Sequence, residues 1–194
     1  MTSAGVVLVV LLAIALAVVI WGVMRYNGLV AVKNDVQRAW SNIDVLLKQR
    51  HDEIPKLVET CRQYKQFEQE TLVKVAEARS RVGAAREARD VAALGPAEAA
   101  LRTSLAGLFA VVERYPDLKA NQQFMQLQTR ISGLENTIAD RREYYNDVVN
   151  VNNIMVEQFP DAFIARMFNF KEAQLLHFDA AETADVDMRK LFAA

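Results

Sequence analysis

The sequence predicts an all-α protein, a single transmembrane helix followed by an elongated antiparallel bundle of three long helices and a short C-terminal helix. Three observations carry this. Only 7 of 194 residues are Gly and 4 are Pro, while Ala, Leu, Glu, Gln, Arg and Val dominate, the composition of long helices rather than of a many-stranded sheet. The chain opens on an uninterrupted apolar run. Beyond it, apolar side chains recur in steps of three and four, the spacing that keeps one face of a helix apolar.

Between Thr2 and Met24 no side chain is charged. The run AGVVLVVLLAIALAVVIWGVM is long enough to cross a hydrocarbon layer of about 30 Å at about 1.5 Å per residue. A cleaved signal peptide would need a cationic residue ahead of a shorter apolar core, and no Lys or Arg precedes this one. Trp21 and Tyr26 stand at its C-terminal edge, where amphipathic rings favour the headgroup layer. Arg25, Lys33 and Arg38 follow on this side alone. The positive-inside rule then places a short N-terminus outside and the rest of the chain in the cytoplasm of a bacterium, on its inner membrane, the periplasm being the alternative. The expected divisions are an anchor over 1–26, a helical-bundle domain over 27–160 and an aromatic-rich segment over 161–194.

In the bundle domain the first stripe runs through Val32, Val36, Trp40, Ile43, Leu47, Ile54, Leu57, Cys61 and Tyr64. Pro55 falls inside it and predicts a bend, since proline removes one backbone donor and crowds the preceding turn. The pattern resumes through Leu72, Val75 and Val82, so one helix is expected from Val32 to Ala93, with the alanine-rich stretch RVGAAREARDVAAL as a thin tip and Gly95-Pro96 as its end. A second helix follows on Leu101, Leu105, Leu108, Val112 and Tyr115, closed by Pro116. The third seam is the most regular: Phe124, Leu127, Ile131, Leu134, Ile138, Arg141, Tyr145, Val148, Asn152 and Met155. The first helix outruns the second, on the order of 90 Å against about 27 Å. Either the long helices extend beyond the bundle towards the membrane, or other protomers cover the rest of its stripe.

Charge excludes one class of partner. The formal net charge is −1 with both signs interspersed, so there is no basic face for nucleic acid. Enzyme chemistry finds no constellation either. Lys48 and Gln174 stand where a Glu-x-x-His repeat needs glutamates before His51 and His177. The lone Cys61 lies on an apolar face, as core filler rather than a reactive thiol. No catalytic, cofactor-binding or metal residue is expected. Polar residues fall on the seams, Arg50 and Glu68 in or beside the first and Arg141 and Asn152 within the third, as a polar binding pocket or as an internal ion pair or register-setting layer; a buried charge must be paired, and Glu68 with Arg141 or another basic seam residue is the pair expected. Six of nine phenylalanines, Phe159, Phe163, Phe168, Phe170, Phe178 and Phe192, crowd the last 36 residues. They form a fourth helix or a docking surface, with Phe163, Phe168 and Phe170 the interface candidates.

Several blocks together resemble the LemA family of bacterial membrane-anchored helical proteins. They are Tyr26-Asn27-Gly28-Leu29-Val30, the stretch WSNIDVLLKQRHDEIPKLVET from Trp40 to Thr60, Ala78-Arg79 and the run from Glu113 to Asn121. Glu135-Asn136, Arg142-Glu143-Tyr144-Tyr145-Asn146-Asp147 and Phe159-Pro160 complete the set. Phe67-Glu68 departs from the His-Glu expected before Ala78-Arg79. The resemblance implies a helical bundle behind an N-terminal membrane helix and supplies no reaction. The function expected is a non-enzymatic membrane-anchored scaffold that self-assembles at the bacterial cytoplasmic membrane or recruits partners, other membrane proteins among them. The alternative is a binding protein that holds a lipid or small ligand between its helices.

Overall fold

The computed structural model describes residues 3–64 and 67–177. All regular structure among them is helical: α1 (Ser3–Arg62), α2 (Gln69–Ala88), α3 (Val91–Val112), α4 (Pro116–Lys119), α5 (Gln122–Glu157) and α6 (Asp161–Met167). The all-α expectation holds. Phe178, Phe192 and the rest of the expected 161–194 segment beyond 177 lie outside the described residues. The chain divides into two compact units, Met1–Ser41 with Glu143–Gln174, and Asn42–Arg142 with the chain from Leu175.

The unit that begins at Asn42 is a four-helix antiparallel arrangement. α1 and α2 run in opposite senses, because Arg79 reaches the His51 carbonyl while Arg86 reaches Asp44. α5 opposes α1 likewise, with Arg130 on Glu53 and Glu135 on Arg50. The core is the stripe Ile43, Leu47, Ile54, Leu57 and Cys61 against Leu101, Leu105, Leu108, Phe124 and Ile131, each 2% exposed or less.

The expected single helix from Val32 to Ala93 is therefore two. Tyr64 and Phe67 close the break between them: Phe67, 5% exposed, packs on Tyr115 at 5.3 Å, and the Phe67 amide donates to the Tyr64 carbonyl. Nor does Gly95-Pro96 end a helix. The chain turns earlier, at Arg89 in the left-handed region (φ 52°), and Asp90 caps α3 by accepting from the Ala93 amide at 2.9 Å. Gly95 serves another end. A Cβ there would stand 2.6 Å from the His177 carbonyl oxygen, so glycine lets the returning C-terminal segment cross α3. Pro55 leaves the His51 carbonyl without a helical donor, and Arg79 Nε of α2 supplies one at 2.9 Å.

In the other unit, α1 continues through Asn27-Gly28 without a break. α5 lies antiparallel to it, Trp40 meeting Tyr145 edge-on at 5.8 Å and Met155 lying over Gly28. After a cis Phe159–Pro160 bond α6 folds back onto α1, burying Ile164 and Ala165 against Leu29, with Trp21, Met155, Val156 and Phe170 around them. The chain then returns along α5. Asn153 exchanges two hydrogen bonds with the Ala173 backbone, Asn152 donates to the Lys171 carbonyl and Tyr145 to the Gln174 carbonyl. Asn152 thus fastens this segment rather than setting a register between helices.

Candidate functional site

The most distinctive chemistry in the chain is a buried ion cluster. Along α1 the core positions step through Ile43, Leu47, Arg50, Ile54, Leu57 and Cys61, so Arg50 occupies a full core slot, 1% exposed. Along α3 they step through Leu94, Glu98, Leu101, Leu105, Leu108 and Val112, and Glu98 is 4% exposed. Arg50 clasps two carboxylates: Nη2 donates to Glu98 Oε1, and Nη1 to Glu135 Oε1 at 2.6 Å. Arg142, also buried, lies close enough to act on Glu98.

The electrostatics follow from this placement. Burial opposes the charge on Arg50, yet Glu98 and Glu135 outweigh it by charge and by hydrogen bond, and the guanidinium is held above its ordinary range. Burial raises Glu98 and Arg50 pulls it back; Glu135 adds to the rise, Arg142 opposes it, and the net displacement is upward. Two guanidiniums thus face two carboxylates in the interior. The space that remains, lined by Glu98, Arg102, Glu135, Ile138, Ala139 and Arg142, is about 10 Å³, at the lower limit for a single water. Such an arrangement positions helices. It leaves no room for a substrate beside its charges.

The structure does not bring Glu68 and Arg141 together. Glu68 pairs with Arg114 at 2.7 Å, their side chains 42% and 64% exposed, a pair of the kind that contributes about 1 kcal/mol or less. Arg141 is exposed, and Arg142 faces inward in its place, as Val149 does in place of Val148. The reason is geometric. A strict seven-residue repeat drifts about 20° per heptad against a straight α-helix, so the third seam slips one residue at its sixth and eighth positions while Tyr145 and Asn152 stay inside. Arg50 was legible from the sequence as a charge needing a partner. Glu98 and Glu135 were missed, although Glu98 stands three residues before Leu101, in step with its stripe.

The aromatic candidates separate. Phe170 packs inward on the Leu29 cluster with Lys33 over its ring at 5.9 Å. Phe168 rests on Tyr26, centroids 4.7 Å apart, while still 53% exposed, and Phe163 is 69% exposed. Cys61 is wholly buried, and burial pushes its thiol up to about 12. His51, its edge against Gly83, is held below its ordinary range by burial and then by Arg79 and Arg86. Among the described residues no group of three or more His, Cys, Asp or Glu side chains is placed to hold a metal ion.

The family block from Glu113 to Asn121 builds the turn at the end of this unit. Tyr115 packs on Phe67, Leu118 is buried, Tyr64 donates to the Asp117 carbonyl, and Asn121 caps α5 at the Phe124 amide while donating to the Tyr64 hydroxyl.

The model of the LemA family matches residues 39–189. Protein LemA of Metamycoplasma hominis is 29% identical over 171 residues, covering 86% of this chain and 75% of that protein. Magnetosome protein MamQ 2 of Paramagnetospirillum magneticum is 26% identical over 192 residues, and magnetosome protein MamQ of Magnetospirillum gryphiswaldense 23% over 193, each covering 87% of this chain and 71% of the relative.

Proposed function

The chain belongs to the LemA family, and from that premise we propose that it is a non-enzymatic, membrane-anchored scaffold that assembles with copies of itself. The anchor is the start of α1, where Val6, Leu8, Leu11, Leu12, Leu16, Val19 and Val23 are among the apolar side chains exposed on every face of the helix. A helix apolar all round has lipid as its natural solvent. The basic residues Arg25, Lys33 and Arg38 past its end support a cytoplasmic helical domain on the bacterial inner membrane, the periplasm being the alternative.

The observation that carries self-assembly lies on α5. Tyr144, Val151 and Ile154 are 51%, 49% and 57% exposed, with Val148 and Met155 half-buried beside them. At helical spacing these five fall within one arc; Met155 turns onto the Leu29 cluster, and Tyr144, Val151 and Ile154 are left as an apolar stripe that no other element covers among the described residues. Anchoring holds every copy in one plane and one orientation, which raises the effective concentration for side-by-side pairing. A closed ring or dimer hides the stripe on each copy. The rival reading, a ligand held between the helices, needs interior space. The polar layer of the bundle offers about 10 Å³, and the larger spaces, about 900 Å³ between α1 and α5 and about 500 Å³ between α2 and α3, are grooves open at the surface rather than enclosed between the helices.

Extraction of the full chain in mild detergent, followed by native mass measurement, tests the proposal. Discrete multimers are expected, and Val151→Lys with Ile154→Lys should convert them to monomers with helix content unchanged. A monomeric wild type, or multimers indifferent to both lysines, refutes self-assembly through α5.

A further inference from the structure

The chain carries a second apolar surface next to the span, on α6, and its shape differs from a protein-binding stripe. α6 is seven residues long and carries apolar side chains on two opposed sides. Its inner face, Ile164 and Ala165, is 4% and 0% exposed against Leu29. On the opposite side, about half a helical turn away, Phe163 and Met167 are 69% and 61% exposed. Phe159, in the turn just before α6, is 90% exposed, and Phe168, just after it, 53%. A surface helix of a water-soluble fold turns a polar face outward. Here the outward side presents Phe163 and Met167, with Arg166 as the one charged residue at their edge.

The level at which this surface is held identifies what covers it. α6 is fixed to α1 between residues 21 and 29: Trp21 packs on the Ile164 and Ala165 cluster, Arg25 pairs with buried Asp161 at 3.5 Å, and Tyr26 stacks on Phe168 and Phe170. These are the residues at the end of the apolar run, where Trp21 and Tyr26 are the interfacial aromatics of the span. The outer face of α6 is thus continuous with the lipid-facing surface of α1. We propose that α6 is a second membrane contact, lying in the interface with Phe159, Phe163 and Met167 inserted among the acyl chain ends nearest the headgroups. Amphipathic elements of this kind bury their apolar side about 5–10 Å into the headgroup and acyl boundary.

Phe159, Phe163 and Met167 then clamp the α1–α6–α5 junction to the bilayer surface, so that the unit containing α6 does not pivot freely on a single helix. The inference rests on the anchor reading above and is independent of self-assembly through α5.

Tryptophan fluorescence of the full chain in vesicles of phosphatidylcholine and phosphatidylglycerol tests it, comparing plain lipids with lipids brominated near the headgroup end of the acyl chains. Four single-tryptophan chains are needed. One keeps Trp21 with Trp40→Phe, and three carry Phe163→Trp, Phe159→Trp or Gln126→Trp in a Trp21→Phe, Trp40→Phe background, with helix content checked for each. Tryptophans at 163 and 159 are expected to lose most of their emission in the brominated vesicles, as Trp21 does, while that at 126, on an exposed position of α5, keeps its emission. If Trp21 is quenched and the tryptophans at 163 and 159 behave like that at 126, the inference is overturned, a second copy being the cover where their emission is blue-shifted and water where it is not. Should Trp21 itself escape quenching, the anchor reading fails and this inference falls with it.

Discussion

Replacing Arg50 with Met removes the cation from a cluster whose other members stay in place. Glu98, its side chain 3% exposed, is left inside an apolar core with its main counter-charge gone, and Glu135, 18% exposed, loses its closest partner. Breaking a buried pair from one side costs about 3–5 kcal/mol, because the orphaned charge keeps its desolvation penalty. At about 2–4 °C per kcal/mol for a chain of this size, the full-length protein in mild detergent should melt roughly 6–20 °C lower by circular dichroism. Replacing the cluster as a whole, Arg50→Met with Glu98→Leu, Glu135→Leu and Arg142→Met, should recover most of the loss, since well-packed apolar residues in place of a buried ionic group are often neutral or stabilising by about 1–4 kcal/mol. The acid response separates this account from simple loss of packing. Glu98 already lies above the ordinary carboxylate range, and Arg50 is the largest influence lowering it. Without Arg50 it rises further. A carboxyl raised in the folded state favours folding below its unfolded value, and that advantage is lost as pH climbs through the folded value. The deficit of Arg50→Met should therefore shrink as pH is lowered toward the ordinary carboxylate range. An Arg50→Met chain that melts within about 1 kcal/mol of wild type at neutral pH would show the cluster to be solvated and the reasoning wrong.

Three other outcomes follow. Gly95→Ala should detach the returning C-terminal segment, because its Cβ would stand 2.6 Å from the His177 carbonyl oxygen; limited proteolysis should cut near Leu176 in the variant and spare wild type, and equal cutting of both would remove the explanation given for this glycine. Cys61, buried with its thiol raised to about 12, should ignore maleimides in the native protein and react once denatured; this silence lets Ser3→Cys and Thr103→Cys report topology without a Cys61 substitution. In right-side-out vesicles an impermeant maleimide should label position 3 and not 103, and the reverse labelling would overturn the cytoplasmic placement.

The sequence by itself determined the class of this protein, because the all-α composition, the apolar run before Arg25 and the core stripes are local or periodic properties of the chain. Ile43, Leu47, Ile54, Leu57 and Cys61 were read from spacing alone and are all buried. Turns were less legible where their chemistry was unusual. Arg89 takes a left-handed conformation that glycine normally signals, so the α2–α3 turn passed unmarked, while Gly95-Pro96 announced a turn and instead accommodates a crossing backbone. Only the tertiary structure decided the polar pairing. The partners of Arg50 lie 48 and 85 residues away, and the phase of α5 at Arg142 depends on a true helical repeat slightly longer than the heptad that its sequence imitates. It also decided which phenylalanines are cover and which are surface. Phe163 and Phe170 look alike in a run of aromatics, but α6 folds back on Leu29, and whether a ring faces that contact or turns away from it is set by packing between elements distant in sequence.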